Sequence, residues 1–155
     1  MNSLPIVSLI IGSERDREVG DKVFELLKSF GVNVEYRVMS AHRNPKELDE
    51  YVTKTNAEVF IAIAGLSAAL PGVIASKTLK PVIGVPREVK VGGLDSLLSI
   101  AQMPPGVPVA CVGIDNGENA ALLAISILSL RYPELEDKLA EYRRSRAEKS
   151  IKVIS

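Results

Sequence analysis

The sequence predicts an α/β protein, a three-layer sandwich on a five-stranded parallel sheet, followed by a C-terminal helix. Three observations carry that prediction. Apolar, β-branched runs of strand length recur along the chain, amphipathic helical segments separate them, and Gly, Ser, Pro and Asn fall where a buried strand must give way to a loop. Strands joined by helices pair in parallel through right-handed crossovers, because each helix must bury its stripe on a sheet face.

The first strand is the run Ile6 to Ile11, broken by Gly12-Ser13. Asp16 can cap a helix over about Arg17 to Phe30, whose Val19, Val23, Phe24, Leu26, Leu27 and Phe30 recur at helical spacing, and Gly31 suits the left-handed position beyond its last turn. Val32 to Met39 is the second strand; the loop SAHRN follows, then a helix from Pro45 to about Thr55 with proline in its first turn. Val59 to Ala64 is the third strand. After the small-residue stretch LSAALPGVIASKT, Pro81 to Val85 reads as the fourth, and PREVKVGG leads into a helix from about Leu94 to Gln102. Val107 to Val112 is the fifth.

Length and strand count fit the flavodoxin-like order 2-1-3-4-5, in which ligands sit beyond the carboxyl ends of the strands, near the switch point between strands one and three. The loops at that edge are Gly12 to Asp16, Ser40 to Asn44, Gly65 to Pro71, Pro86 to Gly93 and Gly113 to Asn119. Residues 119–131 form a helix apolar almost all round, which predicts a subunit contact to cover it. From Pro133 the chain is highly charged, with a narrow apolar stripe at Leu135, Leu139, Tyr142 and Ile151. The expectation is one domain over 1–155, with 1–131 as its core and 133–155 as a helix docked on a neighbouring subunit of a homo-oligomer.

Composition narrows the function. The 155 residues are 46% hydrophobic and 25% charged, as in an ordinary globular domain. Nineteen basic residues balance nineteen acidic ones, so no net field draws the chain to nucleic acid or to an anionic membrane. No apolar run reaches the roughly 18 residues of a membrane helix. The single cysteine, Cys111, has no internal disulfide partner, and the opening MNSLPIVSLIIGSERD lacks a basic segment leading to a cleavage site, which predicts a cytoplasmic protein. The loop GSERDREVG is neither a Walker-type phosphate loop nor a dinucleotide fingerprint, and the one histidine leaves no zinc-binding cluster. No cofactor and no metal are expected.

What remains on the carboxyl edge is a sparse polar set. Gly12 and Ser13 place backbone N–H groups and a hydroxyl at the start of the first helix, where an anion such as phosphate is favoured. Asp16 is either the helix cap or a carboxylate facing ribose hydroxyls. His42 and Arg43 are adjacent at the end of strand two, one able to move protons near neutral pH and the other a fixed fork for phosphate.

The motifs GSERD, SAHRNP, AGLSAALPG, KPVIGVP, GGLDSLLSIAQMPPGVPVA and NAALLA occur in an order that resembles the N5-carboxyaminoimidazole ribonucleotide mutases of purine biosynthesis, the PurE family, over about Ile6 to Ala124. The resemblance implies a cofactor-free isomerisation that moves a carboxylate from nitrogen to ring carbon in a ribonucleotide. It implies that Ser13 and Arg43 hold the phosphate, Asp16 the ribose and His42 the ring proton, with Gly12, Ser40, Ala41, Gly65, Ser67 and Leu70 completing the pocket. It also implies a homo-octamer, with an ATP-dependent carboxylate ligase as pathway partner. The chain departs from the pattern in places. The mutases usually read AGGAAHLPG, so Ala69 stands where a second histidine is usual and Leu66 where glycine is. Ser67 is instead like the related carboxylases, which use carbon dioxide directly and form the alternative reading, whereas Arg43 is mutase-like. Arg15 stands where serine is common.

Overall fold

The structure is a computed structural model that describes residues 4–154. Its elements run β1 (Ile6–Ile11), α1 (Arg17–Ser29), β2 (Asn33–Val38), α2 (Pro45–Lys54), β3 (Val59–Ala64), α3 (Leu70–Ala75), β4 (Val82–Pro86), α4 (Leu94–Ala101), β5 (Ala110–Cys111), α5 (Gly117–Ser129) and α6 (Glu134–Ser150). The sheet order is β2-β1-β3-β4-β5, with every neighbouring pair parallel. Both match the sequence expectation.

Alternation along β3 shows why its run is wholly apolar. Val59, Ile61 and Ile63 face a core shared with Val19, Val23 and Leu27 of α1 and Ala121, Ala124 and Ile125 of α5. Phe60, Ala62 and Ala64 face the opposite core, with Leu48 of α2, Ile74 of α3 and Ile100 of α4. A central strand covered by helices on both faces has no side left for polar residues. Each large side chain buried there stabilises the fold by roughly 1.5–3 kcal/mol.

Two elements differ from expectation in extent. The fifth strand pairs only at Ala110 and Cys111, opposite Ile83 and Gly84, instead of over 107–112. Pro108 has no N–H to give to the ladder, and the strand lies at the sheet edge, where a shortened ladder is tolerated. Within the small-residue stretch lies α3, a short helix with Pro71 in its first turn that helical periodicity could not reveal.

Much of the apolar surface of α5 and of the tail is covered within the chain. Ala120, Ala121, Ala124, Ile125 and Leu128 of α5 are buried in this chain's own core, whereas Leu122, Leu123 and Ile127 are partly covered and Leu130 is 89% exposed. The stripe assigned to a neighbouring subunit covers the same core: Leu135 and Leu139 are buried, Tyr142 packs beside them, and its ring lies 5.8 Å from that of Phe30. Polar contacts fix the helix. Lys138 Nζ donates to the Phe30 carbonyl at 2.7 Å, and the Tyr142 hydroxyl donates to Glu118. The nearest apolar surface after the turn at Pro133 is the chain's own. Ile151 lies beyond the end of α6, is 79% exposed and does not extend the stripe. The last predicted tail residue, Ser155, lies outside the described residues.

Gly117 sets how closely α5 approaches α1, since a Cβ there would stand 2.5 Å from Val19 Cγ1 and 2.6 Å from Val23 Cγ2. Gly117→Ala is expected to destabilise the protein by about 1–3 kcal/mol through overpacking. The urea midpoint at unchanged slope measures it, and an unaltered midpoint would show that the two helices separate freely.

Candidate active site

The end of β1 is the floor of the site. The Gly12 amide donates to the Ile63 carbonyl at 3.0 Å, the last rung between β1 and β3, and beyond it Ser13 is extended at the head of a single 3-10 turn, Glu14–Asp16. Ser13 Oγ accepts from the Arg15 amide at 3.3 Å. Asp16 takes the N-cap position of α1 but makes no capping hydrogen bond. That sets aside the cap reading. Its carboxylate is turned inward and buried, with Oδ1 at 3.4 Å from Arg87 Nε.

The second wall is a turn that holds its own shape. Ser40 Oγ accepts the amides of His42 at 3.3 Å and Arg43 at 3.2 Å, while Asn44 Oδ1 accepts the Ser40 amide at 3.2 Å. Pro45 then starts α2 with φ already suited to a helix. Fastened at both ends, the turn carries His42 and Arg43 outward on its exposed side. The Arg43 guanidinium reaches back across the pocket, its Nη2 donating to the Gly12 carbonyl at 3.1 Å. The basic fork therefore lies against the Gly12 carbonyl, beside the Ser13 loop.

The third wall is the β3–α3 loop. The amide of Ala68 donates to the Gly65 carbonyl at 3.0 Å, and Leu66 and Ala68 both take left-handed backbone, with φ of 57° and 44°. Gly65 is required there: a Cβ would stand 2.6 Å from Val89 Cγ2.

These walls enclose a pocket of about 410 Å³, within the range of small-ligand sites. Gly12, Ser13 and Asp16 from the first loop, Ser40, Ala41, His42 and Arg43 from the second, and Gly65, Ser67 and Leu70 from the third all line it, so every site residue named from sequence meets in one place. Arg15, Leu66, Ala69 and Val89 line it as well. Among the described residues no group of three or more His, Cys, Asp or Glu side chains is placed to hold a metal ion, and no helix is long and apolar enough to cross a membrane. Sequence reasoning missed Arg87 and Asp115. Their one signal was position, an arginine directly after strand four and an aspartate at the tip of the loop after strand five.

A protein-family model described as AIR carboxylase matches residues 6–149. The chain belongs to that family. Within the AIR carboxylase family it is 55% identical to a Methanocaldococcus jannaschii protein named N5-carboxyaminoimidazole ribonucleotide mutase, over 93% of this chain and 92% of that one. It is 53% identical to an Aquifex aeolicus protein of the same name, over 87% of this chain and 83% of that one. Among solved structures, Treponema denticola PurE superposes with a TM-score of 0.83 at 33% identity, covering 94% of this chain and 93% of that one.

Electrostatically, Asp16 carries the tension of the site. Burial raises its pKa from the ordinary 3.8 by more than the Arg87 charge and the Ser13 backbone lower it, and the Asp115 carboxylate adds to the rise. A raised folded pKa means that the stability linked to this group is fully present below about pH 3.8 and is lost as pH climbs through the folded value. Asp16→Asn removes that titration. The stability of Asp16→Asn relative to the native chain is expected to increase between pH 3 and pH 7 in urea unfolding, and a pH-independent difference would contradict the burial of a strained carboxylate.

Proposed function

We propose that the chain converts N5-carboxyaminoimidazole ribonucleotide to 4-carboxy-5-aminoimidazole ribonucleotide, an isomerisation in de novo purine biosynthesis. The observation that carries this reading is the convergence, in one pocket, of an imidazole, a guanidinium fork beside the Ser13 loop and a buried carboxylate, in a chain whose relatives are named for that reaction. Ser13 and Arg43 bind the phosphate, and Asp16 faces the ribose. Gly12, Ser40, Ala41, Gly65, Ser67 and Leu70 shape the enclosure.

The chemistry suits so sparse a set. The carbamate N–C bond breaks to give carbon dioxide, and the nitrogen takes a proton. The electron-rich ring carbon then bonds the trapped carbon dioxide and loses its own proton to restore aromaticity. One proton is delivered and one removed, so a single group, His42, balances both steps. Holding carbon dioxide beside the ring carbon supplies the remaining rate enhancement by proximity. No cofactor or metal enters the scheme. Arg43 in the SAHRN turn and the names of the relatives favour this donor over direct carboxylation of aminoimidazole ribonucleotide. The same reading places the protein in the cytoplasm as a homo-octamer, fed with the carbamate by an ATP-dependent carboxylate ligase. Exposed Val91, Leu94 and Leu98 around α4 supply apolar surface for such contacts.

Purified protein without ATP is expected to turn over the N5-carboxy substrate. Turnover only of aminoimidazole ribonucleotide with bicarbonate would assign direct carboxylation, and tight binding without turnover of either would assign a binding module. His42→Asn is expected to abolish turnover while ligand affinity stays within about tenfold, because the proton transfer belongs to the transition state. Near-native activity of that variant would remove His42 from the mechanism. Light scattering at micromolar concentration is expected to give a mass well above the 16.7 kDa of one chain, and a monomer mass would end the assembly proposal.

A further inference from the structure

Arg87 lies just behind the pocket at the end of β4, and the fold fixes it from several sides. Its amide donates to the Ala64 carbonyl at 3.0 Å, and its own carbonyl accepts from Oγ of the buried Ser96 in α4 at 2.8 Å. The side chain is only 12% exposed and meets three carboxylates. Nη1 donates to Asp115 Oδ1 at 2.7 Å, an oxygen that also accepts the Glu88 amide at 3.2 Å. Asp115 is itself held in place, its amide donating to the Pro86 carbonyl at 2.8 Å. Nη2 reaches the exposed Glu18 at 3.5 Å, a pairing that water screens. Nε is shut off from solvent and makes no hydrogen bond; the one carboxylate it faces is Asp16, an ion pair with Oδ1 3.4 Å away.

Asp115 thus holds the guanidinium from outside, and the guanidinium meets Asp16 from inside. The two oxygens of Asp16 are divided by this arrangement: Oδ1 faces Arg87, while Oδ2 lies toward Gly12, 3.8 Å from where a Cβ on that floor residue would be. A carboxylate side chain rotates broadly about its last bond unless a partner fixes it. Both groups are nearly solvent-free, so the pairing is little screened.

We propose that Arg87 is a positioning residue for substrate binding: clamped by Asp115, it keeps Asp16 turned so that Oδ2 is presented to the sugar hydroxyls in the pocket. The inference rests on the assignment of Asp16 to the ribose. Arg87 acts through Asp16 and touches no substrate itself. Binding is therefore affected before chemistry is.

The test is steady-state kinetics of the full-length protein with N5-carboxyaminoimidazole ribonucleotide across pH, for Arg87→Met, Arg87→Lys, Asp115→Asn, Asp16→Asn and the double variant of Arg87→Met with Asp16→Asn. Losing a charge-assisted contact is expected to raise KM roughly tenfold in Arg87→Met with kcat within about threefold. The acidic limb of kcat/KM is expected to move to higher pH, because an unpaired buried carboxylate protonates more readily while Asp115 still raises it. Arg87→Lys restores charge without the fork and should fall between native and Arg87→Met. Asp115→Asn should raise KM in the same direction, and it keeps the inference open to refutation if Arg87→Met does not fold. In the Asp16→Asn background, Arg87→Met should add no further KM effect. A raised KM in Asp16→Asn alongside unchanged KM and acidic limb in the Arg87 and Asp115 variants would overturn the inference and leave the ribose assignment standing. An unchanged KM in Asp16→Asn would overturn both.

Discussion

The pocket depends on β1 pairing in parallel with two partners at once, in register, so that Ile11 stands opposite Val38 on one side and Ile63 on the other. Three chain segments therefore leave the sheet at one level. The segments after β1 and β3 diverge to opposite faces to reach α1 and α3, and the gap they leave above Gly12 is the switch-point crevice. Neither His42 nor Arg43 would approach Ser13 without that register. A slip of one residue would turn the alternating core side chains of β1 to the wrong faces, so core packing and site geometry are enforced by the same constraint.

Against this rigid background, the local electrostatics are costly. Asp16 is a buried carboxylate whose pKa is pushed upward, which shows that Arg87 does not fully offset the loss of water. A helix cap in the same position would have met the backbone amides of the next turn and remained near solvent. Instead the carboxylate turns inward, toward an arginine at the carboxyl end of β4, two strands away. A buried carboxylate held at such a cost fits the proposed role of Asp16 toward the ribose, where orientation matters more than a contribution to stability.

How much of this was legible in the sequence follows from which interactions are local. Continuous apolar runs gave β1 and β3 their bounds, and the SAHRN turn could be read because Ser40, Asn44 and Pro45 determine its shape within five residues. The convergence of site residues followed from topology, since parallel strands deliver their carboxyl ends to one edge. The pairing of Arg87 with Asp16 could not be read, because 71 positions separate two residues that no periodicity links. The cover of α5 and α6 was ambiguous in the sequence for a related reason. An apolar circumference reports that something covers a helix, but not whether that cover is the same chain, and Leu135 and Leu139 fit either answer until the turn at Pro133 is known.

The third wall shows what the site does without. Leu66 holds a φ of 57° where the resembling mutases place glycine, and Ala68 follows at 44°. Left-handed backbone costs a non-glycine residue about 1 kcal/mol, so local preference opposes this turn twice. It persists because Ala68 and Leu70 are buried beneath it and Gly65 admits no side chain beside Val89. With Ala69 contributing only a methyl group to the pocket, the wall supplies shape and no titratable group. Charge and proton traffic are thereby confined to the loops after β1 and β2. On the proposed mechanism each proton returns through the same imidazole that removed it, which suits an isomerisation that needs no net proton.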